Sequence, residues 1–353
     1  MRLRSAFASA VLLSAGLLTL PATASGASST TVHPGQSIQA AINAAAPGAT
    51  VKVKDGTYAE NLEITKPLTL EAEDVVLVPP TTPSSAACNQ PGVTTGICIH
   101  GEVDANFDAV SLLEDVTLEG IEVRGFSGDG VFAVATKHLD VHDAEFASNG
   151  GYGIFTFHSE TVHYHDSKSH DNGDAGFYVG ESPKANVRID GNRSYRNRAE
   201  GILFRDSMGG KIHDNKFFDN CVGIFLLDTG APGAGGNVKV YDNRVKENNL
   251  ACPASEDAPP FSGIGIAIGG DTGTRVYDNR VSDHAPGGPS ALPTGGIVMI
   301  DTTPFGGTVP TNNRVEDNRL KHNTPVDIFS DGTGSGNRFH DNSCTTSTPA
   351  GLC

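Results

Sequence analysis

Residues 152–180 read "YGIFTFHSETVHYHDSKSHDNGDAGFYVG". The segment opens and closes on the same phrase, a glycine followed by alternating side chains: Gly153 to Phe157, then Gly176 to Gly180. Between them lies a polar block, "YHDSKSHDN" (164–172). Both parts recur along the chain. The glycine phrase returns at Gly130, Gly153, Gly176, Gly201 and Gly223, at intervals of 23, 23, 25 and 22 residues, and again from Gly263 and Gly296 after longer connections. The polar block returns as "VHDAEFASN" (141–149), "IDGNRSYRN" (189–197), "IHDNKFFDN" (212–220), "VYDNRVKEN" (240–248), "VYDNRVSDH" (276–284) and "VEDNRLKHN" (315–323). The segment is thus one repeat unit and the start of the next.

Short period-2 strands with turns every six to nine residues leave no room for helices between strands. An all-β fold follows, a parallel solenoid whose coils stack about 4.8 Å apart. Asn192, Asn215, Asn243, Asn279, Asn318 and Asn342 share one register and predict an internal ladder in which each amide bonds its neighbour. Upstream, Ser37 reads as an N-cap, Ile38, Ala41, Ile42 and Ala45 form one apolar stripe, and Pro47-Gly48 stops the helix, which predicts a capping helix over about 37–46 that hides the first coil's edge strands. The 42 glycines of the 353-residue chain fit many turns better than two cores, so 25–353 reads as a single domain; a monomer is expected.

The stretch "PGQSIQAAINAAAPGATVKVKDGTY" (34–58) resembles the opening segment of right-handed parallel β-helix proteins of the pectin-lyase-like superfamily. The repeats are similar to the units of polysaccharide lyases, mannuronan C5-epimerases and the nitrous-oxide-reductase maturation protein. The resemblance covers nearly all of 25–353 and implies a right-handed solenoid. Those epimerases carry a Tyr-Gly-Phe-Asp-Pro-His segment whose Tyr, Asp and His serve proton abstraction at C5. Here "YGIFTF" keeps Tyr152 and sets Phe155 and Phe157 where the Asp and His would stand, so that acid/base pair is absent.

Residues 1–24 have the charged start, apolar run and Ala22-Thr23-Ala24 ending of a secretory signal, which predicts a secreted, extracellular product. The net charge of −16 becomes −18 without Arg2 and Arg4, which argues against nucleic-acid or anionic-membrane partners. No later apolar run reaches the roughly 20 residues of a membrane helix. Six cysteines in an exported chain imply three disulfides, and proximity favours Cys88–Cys98, Cys221–Cys252 and Cys344–Cys353, each contributing about 2 to 4 kcal/mol.

Register decides what faces outward. With Ile154 and Thr156 inside, Phe155 and Phe157 point out, stacked with Phe132, Tyr178, Leu203 and Phe225 in one row and Val134, Gly180, Arg205 and Leu227 in the next. Such a face is either covered by insertions 79–108, 229–237 and 249–262 or serves as a groove on which sugar rings stack, with Tyr152, Phe155, Phe157 and Phe225 binding substrate. A polar column beside it, His158, Glu181, Asp206, Asp228, Asp271 and Asp301, reads first as a turn device; the other reading makes Glu181 and Asp206, on successive coils, paired carboxylates for glycoside hydrolysis, and spacing does not separate the two. Tyr178 and Arg205, as neighbours, are candidates for β-elimination. By alternation His158 falls on the opposite side of the strand from Phe157.

Two basic rows, His163/Arg188/Lys211/Lys239/Arg275/Arg314/Arg338 and Lys168/Arg193/Lys216/Arg244/Arg280/Arg319, need compensation, because like charges one coil apart repel by about 0.9 kcal/mol even in water. Neighbouring acids such as Asp214, Asp242 and Asp278 supply it, or a polyuronate does. Asp140, His142, His163 and His165 fall on adjacent coils and are candidate ligands for a divalent metal, Zn²⁺ or Cu²⁺, with no cofactor otherwise established. The reading of function is a secreted protein that binds an extracellular polysaccharide and acts on an acidic glycan as a lyase or glycoside hydrolase. The alternatives are a non-catalytic extracellular binding or surface-interaction module, or a metal-binding β-helix.

Overall fold

A computed structural model of the chain describes residues 29–105, 108–231, 235–254 and 259–353. The expected signal segment, 1–24, lies outside the described residues. Each coil runs through three walls of parallel strands. The front wall stacks Leu62–Ile64, Ile97–His100, Val131–Val134, Ile154–Phe157, Phe177–Gly180, Glu200–Arg205, Val222–Leu227, Ile264–Gly269, Gly295–Ile300, Ile328–Ser330 and Ser347–Thr348. The back wall includes Thr136–His142, Glu160–His165, Val187–Asp190, Met208–His213 and Gly236–Tyr241. The side wall includes Glu145–Ala147, Lys168–His170, Arg193–Tyr195, Lys216–Phe218 and Arg244–Lys246.

The register follows the sequence repeat. Ile154, Phe177, Ile202, Ile224, Ile266, Ile297 and Ile328 stack in one inward ladder and are fully buried. Each contributes about 1.5 to 3 kcal/mol by leaving water, and the core they belong to runs without a break from Val32 to Ile328. At the corner between back and side walls the chain turns through left-handed residues, φ 50 at Asp166, 56 at Asp214, 54 at Asp242 and 54 at Asp278. Aspartate tolerates that conformation better than most side chains because it bonds its own backbone, which explains the repeated Asp-Asn pair. The Asn that follows turns inward. Asn192 donates from N and Nδ2 to Asn215 Oδ1 at 2.9 and 3.1 Å, and the same pattern continues through Asn243, Asn279, Asn318 and Asn342.

A second ladder lines the next corner, through Asn149, Asn172, Asn197, Asn220 and Asn248. His284 takes the following place. It is fully buried, its Nε2 lies 3.1 Å from Asn248 Nδ2 and its Nδ1 lies 2.9 Å from Asn323 Oδ1. Burial pulls its pKa down to about 4, so the ring is neutral, with Nδ1 donating and Nε2 accepting.

The expected helix forms over Ile38–Ala44, with Ser37 as N-cap accepting from the Ala40 amide. Glu60 accepts from the Ile38 and Gln39 amides, and Ile38 and Ile42 enter the core beside Ser29–Val32 and Ala49–Val53. The three disulfides join Cys88–Cys98, Cys221–Cys252 and Cys344–Cys353, as proximity suggested. One expected insertion is partly something else: within 79–108, Ile97–His100 is a front-wall strand, opening a coil earlier than the Gly130 phrase. Among the described residues no helix is long and apolar enough to cross a membrane.

Candidate functional site

The outer surface of the front wall carries an aromatic shelf. Phe132, Phe155 and Tyr178 lie in register on successive strands, with ring centroids 4.9 and 4.4 Å apart and planes 17° and 3° from parallel. Tyr152 packs against both Phe155 and Tyr178 at 5.1 Å, and Phe157 lies 5.8 Å from Phe155. Parallel strands force this stacking, since each ring must follow the spacing of the coils. Phe132, Tyr152, Phe155 and Phe157 stay half-buried, whereas Tyr178 is buried among its neighbours.

Polar groups flank the shelf. Arg205, half-exposed, stands beside Tyr178, and its Nε donates to Asp206 at 3.1 Å. His158 adopts a left-handed φ of 47, which swings its ring back to the outer side, edge-on to Phe157 at 4.0 Å. This corrects the alternation argument, which set it opposite: a left-handed residue ends the strand and its period with it. Its Nδ1 faces the Glu181 carbonyl at 3.0 Å and its Nε2 lies 3.5 Å from Asp108. Glu181 and Asp206 share the same left-handed turn, at φ 43 and 48. Asp206 is fully buried and accepts from the Thr229 amide and hydroxyl, both at 2.6 Å, so the carboxylate ties one turn to the next coil rather than pairing with Glu181. Asp271 is one residue out of that column. Gly270 holds the turn, and Asp271 is buried, its Oδ2 accepting from Thr274.

Two carboxyls absent from the sequence reading adjoin Tyr152. Asp129, half-buried, accepts the Tyr152 amide at 2.8 Å, and Glu200 is almost wholly buried. Loss of water pushes Asp129 up to about 7 and Glu200 up to about 8, each helped by the negative charge of Asp174. Burial and these acids raise Tyr152, and burial raises Tyr178, so both phenols are proton donors at neutral pH. The signal was present: Asp129, Tyr152, Ala175 and Glu200 each directly precede a repeat glycine and stack in one column.

The shelf ends at the next coils. Phe225 is 4% exposed and meets Phe261 edge-on at 6.0 Å, in an outer cluster with the Cys221–Cys252 disulfide, Leu292 and Val298. Phe225 is therefore no part of an open groove; Cys252 and Phe261 cover it, as does Leu292, from a segment not foreseen as a cover. On the other walls both basic rows fall in register as expected. Lys168 pairs with Glu145, Arg188 with Asp190 and Arg275 with Glu316. Asp214, Asp242, Asp278 and Asp317 line one groove with Arg244, Arg280 and Arg319, so four carboxylates offset three guanidiniums of the row. On the back wall Asp140, His163 and His165 converge, and His142 stacks on His165 at 4.7 Å.

Residues 91–245 match the family model described as the right handed beta helix region. No curated protein matches the chain in sequence. Among solved structures the fold is similar to the A-module of the mannuronan C-5 epimerase AlgE4 of Azotobacter vinelandii, with TM-score 0.54 and 16% identity over 87% of this chain and 90% of that one. The periplasmic alginate epimerase AlgG gives TM-score 0.53 and 13% identity over 90% and 84%. A family 28 exopolygalacturonase of Yersinia enterocolitica gives 0.50 and 15% over 91% and 78%. Identities this low speak for the backbone and not for the chemistry it carries. The chain is a right-handed parallel β-helix resembling those of the pectin-lyase-like kind.

Proposed function

We propose that this protein is exported and binds an acidic polysaccharide on the front-wall shelf, with sugar rings on Phe155 and Phe157 and a uronate carboxylate on Arg205. The observation that carries the reading is the stacked aromatic row, half-buried at Phe132 and Phe155 and buried at Tyr178, ending beside an arginine that Asp206 and the Tyr178 hydroxyl engage in part. Phe132 and Tyr178 occupy the two faces of Phe155, so the row offers its ring edges as apolar surface to a pyranose, and Arg matches a carboxylate in planar, bidentate fashion. The structural neighbours favour the same class: a mannuronan C-5 epimerase, an alginate epimerase and an exopolygalacturonase. Three disulfides favour an oxidising compartment.

Processing of the bound chain, as lyase or hydrolase, would draw on the Asp129 and Glu200 carboxyls, both raised by burial toward neutral pH, and on the Tyr152 and Tyr178 phenols as proton donors, with His158 at the shelf's edge. The epimerase pair at Phe155 and Phe157 is missing, so any chemistry here uses different groups from that motif. The test is a panel of neutral and uronate polysaccharides, read by calorimetry for binding and by ultraviolet absorbance and reducing ends for cleavage. Saturable binding of polyuronates that Arg205→Ala weakens supports the reading. Equal affinity for neutral glucans, or none for any glycan, overturns it.

A further inference from the structure

On the back wall, away from the shelf, register sets Asp140 beside His163 and His142 beside His165. Asp140 Oδ1 lies 3.3 Å from His163 Nδ1 and 3.4 Å from His165 Nε2, yet it is buried and receives no hydrogen bond. The two rings stand close to it without aiming an N–H along the line to the oxygen. A polar atom so placed is costly unless something else meets it.

We propose that Asp140, His163 and His165 hold one divalent transition-metal ion of the zinc class. Ligand bonds of about 2.0 to 2.2 Å in tetrahedral array set donor atoms about 3.3 to 3.6 Å apart, the separations that Asp140 Oδ1 keeps from both nitrogens, and all three ligand atoms lie within 4.8 Å of one another. The outer ring nitrogens carry the complementary feature. His163 Nε2 meets Asp190 Oδ1 at 3.2 Å, an oxygen also held by Arg188 Nε, and His165 Nδ1 meets Asp166 Oδ2 at 3.1 Å. A carboxylate on the far nitrogen fixes the tautomer that presents a lone pair to a metal. Two imidazoles favour Zn²⁺, Cu²⁺ or their neighbours over Ca²⁺ or Mg²⁺, which prefer oxygen alone. Three protein ligands on a partly exposed wall leave a position for water or a ligand. His142, offered with them on sequence grounds, stacks on His165 with its Nδ1 turned to Asp143 at 3.0 Å, so it buttresses the ring from outside the triad.

The test uses the full chain, disulfides intact, stripped with chelator and titrated with Zn²⁺ in a calorimeter, with Co²⁺ as a visible-absorption probe. One saturable site per chain is expected. His163→Ala and His165→Ala should abolish it, Asp190→Asn should weaken it about 10-fold or more, and His142→Ala should keep it. Far-UV spectra check that each variant is folded, and Asp140→Asn, nearly equal in volume, decides the matter if a histidine variant is not. Absence of a saturable site overturns the proposal. So does a site that survives both histidine variants, which would mark adventitious binding at exposed rings such as His138 or His322.

Discussion

The front wall is one continuous sheet with two unlike outer surfaces. At Phe132, Phe155 and Phe157 its rings are stacked and half-buried, bordered by Arg205 and by carboxyls with raised pKa. At Phe225 and Val298, in the same register, the side chains are sealed by Phe261, Leu292 and the Cys221–Cys252 disulfide. Identical strand geometry thus serves as binding surface or as a secondary core, and the choice lies in the connections. Where the coil closes in 22 to 25 residues, from Gly130 to Gly223, little is left over to fold back; beyond Gly223 the longer connections supply Phe261 and Leu292 as a cover.

The contrast is sharpest in Phe225→Ala. It should cost about 3 to 5 kcal/mol of stability through a cavity and leave glycan binding unchanged; a melting curve like wild type would break the distinction. Next, Cys221→Ser with Cys252→Ser releases a span of 31 residues and should cost about 3 to 4 kcal/mol by the loop-entropy estimate. The uncovered Phe225 should then bind a hydrophobic dye that the wild type does not.

The two ends should also answer pH in opposite senses. His284 flanks the cover, and its folded pKa of about 4 lies below the ordinary 6.5. The unfolded chain takes up that proton first, so stability is full above pH 6.5 and falls by about 3 kcal/mol as pH drops toward 4. His284→Asn, which continues the ladder, should flatten that acid limb. Glu200, at the open end, is raised from 4.5 to about 8. Its contribution is complete below pH 4.5 and is lost as pH rises through 8, and Glu200→Gln should flatten that limb. Denaturant titrations at pH 4.5, 6.5 and 8.5 separate the two. The smallest effect is expected at the shelf itself: Phe155→Ala should weaken polyuronate binding by about 1 kcal/mol with little change in melting. A loss of stability as large as that of Phe225→Ala would mean the shelf is core.

The repeat made most of the fold readable. The glycine intervals gave the register, down to the pairing of Phe155 with Tyr178 and of His163 with Arg188, because a parallel solenoid converts a sequence interval directly into a neighbour. Ser37 as N-cap was legible for the same local reason. Three things were not. His158 escaped because alternation stops at a left-handed residue, and nothing in "FHS" marks where. Asp129 and Glu200 stand in a legible column ahead of the repeat glycines, but the burial that raises their pKa depends on neighbouring coils and could not be read from that column. Phe225 was misassigned because covers are irregular segments, whose path no period encodes.

The main asparagine ladder has an implication for how such a molecule changes over generations. Its successive members are 23, 28, 36, 39 and 24 residues apart, yet each bonds the next at 2.9 to 3.1 Å. The corner acts as a ruler indifferent to what is strung between its marks. A lineage can therefore lengthen, shorten or exchange a connection beside the front wall without renumbering the stack, opening one stretch of the surface and closing another. Selection on new partners would act on those connections while the ladder stayed as it was, and recognition in this architecture would diverge faster than shape.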